Sequence, residues 1–411
     1  MLKKGILGLV VLLALSSNHV QAAEEFEAKA EHAIAVEADT GKILYAKDAK
    51  KPDAIASITK ILTVYMVYKE IDQGNLTWDT KVDISDYPYQ LTVNPDASNV
   101  PMEDRKYTVK QLVDAAMIAS ANSAAIALAE HIGGSEPRFV DMMTKQLKEW
   151  GITDAKLVNA SGLNNATLGD NIYPGSKKDE ENMMSAQDVA IITRHIIEEY
   201  PELVKVSQQT SASFGDTLMT TYNYMLEGMP FYRASVDGLK TGTTVKAGAS
   251  FVATSTENGM RIITVVLNAD KGEEDVLARF IATNEILNYV TANYEKVDIL
   301  KKGKGTTKSK VTVSDGKETS VKAVASKKLT VIRPIAEKSA VRFKANKNEL
   351  TAPIQKKDKL GTFTYEDNHL VGDGYLNSEP SVSAQASQDV ERSFFLKVWW
   401  NHFVDFVNTE L

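Results

Sequence analysis

Residues 56–68 read ASITKILTVYMVY, a serine and a lysine three positions apart at the mouth of an apolar run. The pattern predicts a helix opening near Ser57 and stopping at Gly74, with Lys60 on the same face as Ser57 and one turn away. In one account Ser57 caps the helix and Lys60 snorkels to water. In the other the pair is a nucleophile and its base. Serine is a poor nucleophile at its own pKa, so it needs an adjacent base, and a lysine can serve only when its charge is suppressed. Burial and a second cation both act in that direction. The second account therefore requires another basic residue from elsewhere in the chain.

Around this helix the chain mixes strands and helices. HAIAVEADTGKILYAKDAKK, residues 32–51, reads as two short strands about a turn at Asp39-Thr40-Gly41. YTVKQLVDAAMIAS, residues 107–120, opens with Thr108 and Gln111 at capping-box spacing and is rich in small apolar residues, which suits a buried helix. ASFVATS and MRIITVVL flank Glu257-Asn258-Gly259, and Asn-Gly is the strongest short hairpin signal. EEDVLARFIATNEILNYV, residues 273–290, then has helical spacing. That order favours an α+β fold with an antiparallel sheet covered by helices over residues 24–292.

Beyond residue 293 the composition changes. Residues 296–380 hold 18 Lys or Arg against 10 Asp or Glu, and short alternating runs such as SKVTVSD and KLTVIRPI predict a small all-β domain over 293–385. KGKGTTK at 302–308 lacks a full phosphate-loop pattern and reads as a solvated loop. SVSAQASQ at 381–388 reads as a polar linker, so residues 386–411 are expected to form the end of a linker followed by a helix. In SFFLKVWWNHFVDFVNTEL the residues Phe394, Phe395, Val398, Trp399, Phe403, Phe406 and Val407 cover most of that helix. Lys397, Asn401, Asp405 and Asn408 make one narrow polar stripe, which suits a helix lying in a membrane interface. Docking on the protein itself is the competing reading.

At the other end, Lys3 and Lys4 precede an apolar stretch from Ile6 to Leu15 and small residues at Ala22 and Ala23, the pattern of a secretory signal peptide over residues 1–23. With 411 residues, a net charge of −7 and 43% apolar residues, the chain is long enough for two domains and gives no sign of nucleic-acid binding or disorder. It has no cysteine, hence no disulfide or thiolate site. His32, His131, His195, His369 and His402 follow no metal-ligand spacing and read as surface or packed residues, so no metal or cofactor is expected.

Two further stretches bear on the serine and lysine. Ser120-Ala121-Asn122 lies at a break between helical runs, and Lys240-Thr241-Gly242 enters a hairpin strand. S-x-x-K, S-D-N and K-T-G together mark class A β-lactamases and penicillin-binding proteins. All three occur here in that order, with Ala121 in place of the aspartate. The chain resembles the low-molecular-mass penicillin-binding proteins, serine-type D-alanyl-D-alanine carboxypeptidases of bacterial cell-wall metabolism, over nearly its whole length.

The resemblance implies a β-lactamase/transpeptidase-like catalytic domain, a β-rich second domain and a C-terminal anchor. It implies that Ser57 attacks the penultimate D-alanine carbonyl, that Lys60 takes its proton and that Ser120 relays a proton to the leaving amine. Asn122 would hold the substrate amide and Lys60, while Lys240 and Thr241 would meet the terminal carboxylate. Gly242 would leave room for the substrate, and the N–H groups of Ser57 and Thr243 would form an oxyanion hole. Lys240 would also be the second cation that Lys60 requires. An arginine for the substrate carboxylate is not assigned, with Arg233, Arg261 and Arg279 as candidates, and Ser161 in NASGLNN is a candidate for the site wall.

The implied substrate is the peptidoglycan pentapeptide, with β-lactams as inhibitors. The implied location is the outer face of the bacterial cytoplasmic membrane, held through residues 394–411. A class A-like β-lactamase, a DD-transpeptidase and a silent cell-wall scaffold are the rivals. The absence of an E-x-x-L-N stretch and the presence of the extra domain argue against the first.

Overall fold

The computed structural model describes residues 26–95 and 97–410, so the leader expected over 1–23 lies outside the described residues. Strand β1 (Ala30–Glu37) has a period-two pattern with two apolar destinations. Ile34 and Val36 face one cluster, while Ala33 and Ala35 face the other. With both faces covered, β1 lies inside the sheet. It pairs antiparallel with β2 (Ile43–Lys47). The turn between them is held by the Glu37 carboxylate, which accepts from the Thr40 N–H and hydroxyl at 2.8 and 2.7 Å.

A short 3₁₀ turn over Ala56–Ile58 leads into helix α1 (Thr59–Asp72), and Gly74, with φ +77°, follows its end. Every side chain from Thr59 to Tyr68 is buried, including Lys60. Helix α2 (Val109–Ile118) begins with the expected reciprocal capping box between Thr108 and Gln111. Helix α3 (Asn122–Gly133) starts three residues after Ala119. The break between α2 and α3 is made by Ser120, whose φ of +56° is left-handed backbone that a residue with a Cβ seldom adopts.

The rest of the sheet comes from β3 (Val236–Thr244), β4 (Gly248–Glu257) and β5 (Met260–Ala269). Asn258 and Gly259 both have positive φ, and Glu257 faces Met260, so the expected Asn-Gly signal makes a two-residue hairpin. The strand order is β2-β1-β5-β4-β3, which leaves β3 on an edge. Helix α4 (Ala278–Asn293) packs Phe280, Ile286, Leu287 and Val290 against one face. The helix Ala186–Glu199 lies against the other, backed by the helical side that holds α1, α2 and α3. Burying each such side chain contributes about 1.5–3 kcal/mol, so two covered faces give this sheet most of its stability.

A second, all-β domain follows. Strands β6 (Tyr294–Leu300) and β9 (Leu329–Pro334) pair with each other. Strands β7 (Lys310–Ser314), β8 (Ser320–Ala325), β10 (Ala340–Ala345), β11 (Glu349–Thr351), β12 (Lys359–Glu366) and β13 (Ser381–Ala386) form a sheet of order β10-β12-β13-β8-β7-β11.

Strand β13 corrects the linker expected over 381–388. It lies between β12 and β8, with Val382, Ala384 and Ala386 in the core and Ser381, Ser383 and Gln385 outward. The alternation is complete, but alanines supply two of the inward positions, so the segment reads as polar. Val390 is also in this core, and the backbone remains bonded to the domain as far as Ser393, whose N–H donates to the Asp315 carbonyl at 2.7 Å.

Helix α5 (Phe395–Glu410) ends the chain. Val398 is buried and His402 lies 2.8 Å from Asp315, so its first turns touch the β domain. Phe395, Trp399, Trp400, Phe403 and Phe406 are exposed. No described helix is long and apolar enough to cross a membrane. The side chain of Asp405, expected in the polar stripe, lies outside the described residues.

Candidate active site

Three elements converge at the opening of α1. Ser57 sits in the 3₁₀ turn directly after Ala56, whose φ is +44°. Left-handed backbone at Ala56 and at Ser120 places two strained residues in one site, as is common where geometry is held for function. The turn is also pressed from two sides by glycines. A Cβ on Gly162 would lie 1.8 Å from the Ala56 carbonyl oxygen, and one on Gly242 would lie 2.6 Å from the Ile55 carbonyl oxygen. Gly242 was expected to leave room for a substrate. Its missing side chain also lets β3 close on the turn that carries Ser57.

Lys60 is fully buried, with its Nζ 2.7 Å from Ser57 Oγ, Asn122 Oδ1 and the Ser161 carbonyl oxygen. Its ammonium is held well below the usual lysine range, first by burial and second by the charge of Lys240. Lys240 is buried too, and its Nζ donates to Ser120 Oγ at 2.9 Å and to the Thr241 carbonyl at 3.0 Å. Burial, then the neighbouring Arg279, push it down to about 7. Asn122 is engaged at both ends, because its Nδ2 donates to the Ser98 carbonyl at 2.8 Å. Its Oδ1 holds Lys60, and the second N–H of its amide is left for a substrate group.

A cavity of about 280 Å³ opens over these groups. Ser57, Ser120, Thr241 and Thr243 line its polar side, and Tyr222, Tyr224, Leu277 and Phe280 form an apolar wall. Arg279 also lines it. The guanidinium donates to the Gly242 and Ser250 carbonyls at 3.0 and 3.1 Å and to Thr243 Oγ1 at 2.8 Å, so it braces β3 from behind the K-T-G residues. Of the other candidates, Arg233 pairs with Glu257 and Arg261 with Asp237, away from the cavity. The arrangement puts a nucleophile beside a charge-suppressed amine at the bottom of a cationic cleft. That suits acyl transfer on a substrate ending in a carboxylate.

Residues 18–271 match the family described as D-alanyl-D-alanine carboxypeptidase, and residues 294–392 match the C-terminal domain of penicillin-binding protein 5. The chain belongs to the D-alanyl-D-alanine carboxypeptidase family. It is 28% identical to the D-alanyl-D-alanine carboxypeptidase DacF of Bacillus subtilis, over 90% of this chain and 88% of that one. Among solved structures it resembles a peptidoglycan synthesis regulatory factor, PBP3, from Streptococcus pneumoniae at a TM-score of 0.80 and 52% identity, covering 89% of this chain and 100% of that one. It also resembles penicillin-binding protein 5 from Haemophilus influenzae at a TM-score of 0.70 and 26% identity, covering 90% and 99%. The ampicillin-bound penicillin-binding protein D2 of Listeria monocytogenes is similar over 65% of this chain and 98% of its own, at a TM-score of 0.54 and 26% identity.

Some parts of the site carry no family motif. Ser161 contributes its main-chain carbonyl, while its hydroxyl turns away to Asn159 Oδ1 at 3.2 Å. The loop that presents this carbonyl is held by Asn182, which bonds the N–H groups of Val158 and Asn159, and by Glu136, which accepts from Ala160 N at 2.9 Å. A run of Asn and Ser after a buried helix is the available sequence signal, and it does not say which atoms face the lysine.

Proposed function

We propose that this protein removes the terminal D-alanine from peptidoglycan stem peptides through an acyl-enzyme on Ser57 and is acylated there by β-lactams. The observation that carries the reading is the environment of Lys60. A neutral amine has two N–H groups and one lone pair. Asn122 Oδ1 and the Ser161 carbonyl accept only, so they take both N–H groups and leave the lone pair for the Ser57 hydroxyl. Burial and Lys240 favour that neutral form.

Ser57 Oγ then bonds to the penultimate D-alanine carbonyl carbon as its proton passes to Lys60. The C–N bond breaks when the leaving amine gains a proton, for which Ser120 is placed by its bond from Lys240. Free D-alanine departs, and water later cleaves the ester. Lys240 and Thr241 receive the terminal carboxylate, with Thr243 backed by Arg279. The N–H groups of Ser57 and Thr243 stabilise the oxyanion. Ser57→Ala is expected to abolish both D-alanine release and labelling by a fluorescent penicillin. Retained labelling would point to a silent scaffold with a different reactive residue.

No Asp or Glu is among the described residues lining the cavity, which favours a slowly deacylating peptidase over a β-lactamase with a carboxylate to activate water. Release of D-alanine from a D-Ala-D-Ala peptide without formation of dimers separates hydrolysis from cross-linking.

The protein acts as an exported enzyme whose α5 lies on the outer surface of the cytoplasmic membrane. The exposed Trp399, Trp400 and Phe403 supply interfacial aromatic area beyond the turns docked at Val398. Replacing Trp399 and Trp400 together by alanine is expected to release the full chain from anionic phospholipid vesicles in a flotation assay. Unchanged flotation would leave α5 as a helix of the β domain alone.

A further inference from the structure

Glu31, His32 and Asp53 each bring one ligand atom to within 4.8 Å of the other two, at the end of the sheet where β1 runs on past its partner β2. His32 is only 2% exposed. Its Nδ1 lies 3.1 Å from the Asp48 carbonyl oxygen, which can only accept, so the ring proton belongs on Nδ1. The Nε2 lone pair of the neutral ring therefore faces Asp53 Oδ2 at 3.7 Å and Glu31 Oε2 at 4.0 Å. Among the described residues no lysine or arginine pairs with either carboxylate.

Two carboxylates and a lone pair converging without a cation repel one another. We propose that a divalent transition-metal ion, Zn²⁺ in the first instance, binds between these three side chains. An ion about 2.0–2.2 Å from each ligand spans separations up to roughly 4.3 Å, which covers both gaps to His32; the three ligand atoms lie within 4.8 Å of one another, and rotation of Glu31 brings the set within reach. The surroundings match a ligand set. The Asp48 carbonyl fixes the imidazole tautomer, and the Ala54 N–H holds the other oxygen of Asp53 at 2.7 Å. Imidazole with carboxylates selects zinc-like ions over Ca²⁺ and Mg²⁺, which prefer all-oxygen sites.

Glu31, with a side chain 58% exposed, gives the ion its entry and rotates to complete the set. Asp53 begins the two-residue strand Asp53–Ala54 that pairs with Met183–Met184 and runs on into the Ser57 turn. The ion would thus tie β1 to the segment that leads to the nucleophile, as a structural site rather than a catalytic one.

Calorimetric titration of the full chain with Zn²⁺, Ca²⁺ and Mg²⁺ in turn tests this. Expected are one Zn²⁺ per chain, preference over the other two ions, and a Tm that rises with Zn²⁺. Glu31→Gln and Asp53→Asn should each weaken Zn²⁺ binding by more than ~10-fold, the loss that even an outer partner causes, and His32→Gln should abolish it. Far-UV circular dichroism confirms that each variant is folded, and if His32→Gln is not, the two carboxylate variants decide. No Zn²⁺ uptake by the parent chain, or wild-type uptake by both carboxylate variants, overturns the proposal.

Discussion

Lys240 stands between Lys60 and Arg279, and its replacement tests how Lys60 is kept neutral. Lys240→Ala removes the second cause of Lys60's lowered pKa but leaves burial, the first. Lys60 should then hold its proton to higher pH. Near neutrality the acylation rate with a penicillin should fall roughly tenfold for every pH unit by which the Lys60 titration moves upward, and it should recover at alkaline pH. A pH profile unchanged from the parent would assign the neutrality of Lys60 to burial alone. Lys240 itself, pushed down to about 7, loses charge above that pH, so KM for a carboxylate-ended peptide should rise on the alkaline side. In Lys240→Arg that rise should move to higher pH. Ser57, Lys60, Ser120 and Lys240 were legible because their chemistry resides in side chains at fixed spacings. Arg279 could not be chosen over Arg233 and Arg261, and the Ser161 carbonyl was not legible at all. The arginine reaches β3 only through the packing of α4, and a main-chain oxygen leaves no trace in residue identity.

The loop over 159–162 and the edge strand β3 show how secondary elements are held against the nucleophile's turn. Gly162→Ala sets a methyl group on the Ala56 carbonyl at φ +84° and should cost both stability and acylation, measurable as a lower Tm and slower penicillin labelling. Behind the loop, burial raises the Glu136 carboxyl to about 7 despite its bonds from Ala160 and Tyr87. A carboxyl raised in the folded state stabilises most below its unfolded pKa of 4.5, and that contribution is lost as pH rises through 7. Stability should therefore fall by up to about 3 kcal/mol across this window, and Glu136→Gln should flatten the trend in denaturant titrations. Caps, turns and strong hairpins could be read from residues because local chemistry makes them. Strand β13 could not, since its place depends on β8 and β12, which lie far from it in the chain.

At the scale of the molecule, the two domains are joined by a seam rather than a tether. The Ile43 N–H donates to the Gly374 carbonyl at 2.9 Å, and Leu376 N–H donates to the Gly41 carbonyl at 2.8 Å. Between them Lys42 is buried against Asp367, which also accepts from the Tyr375 hydroxyl at 2.6 Å. Lys296 of β6 reaches back to Glu37 at 3.0 Å and Asp39 at 2.5 Å. Lys42→Ala strands the Asp367 charge and should cost about 3–5 kcal/mol, whereas Lys42→Met combined with Asp367→Leu should come close to parental stability. Comparable losses in the single and double variants would show that the pair does not work as a unit.

A seam of this kind makes the molecule a lever rather than a flail. With α5 as the proposed foot, a tilt there would be passed through the seam to the mouth of the cavity. The height at which the pocket meets its polymer is then set by the dimensions of the β domain and not by the length of a tether.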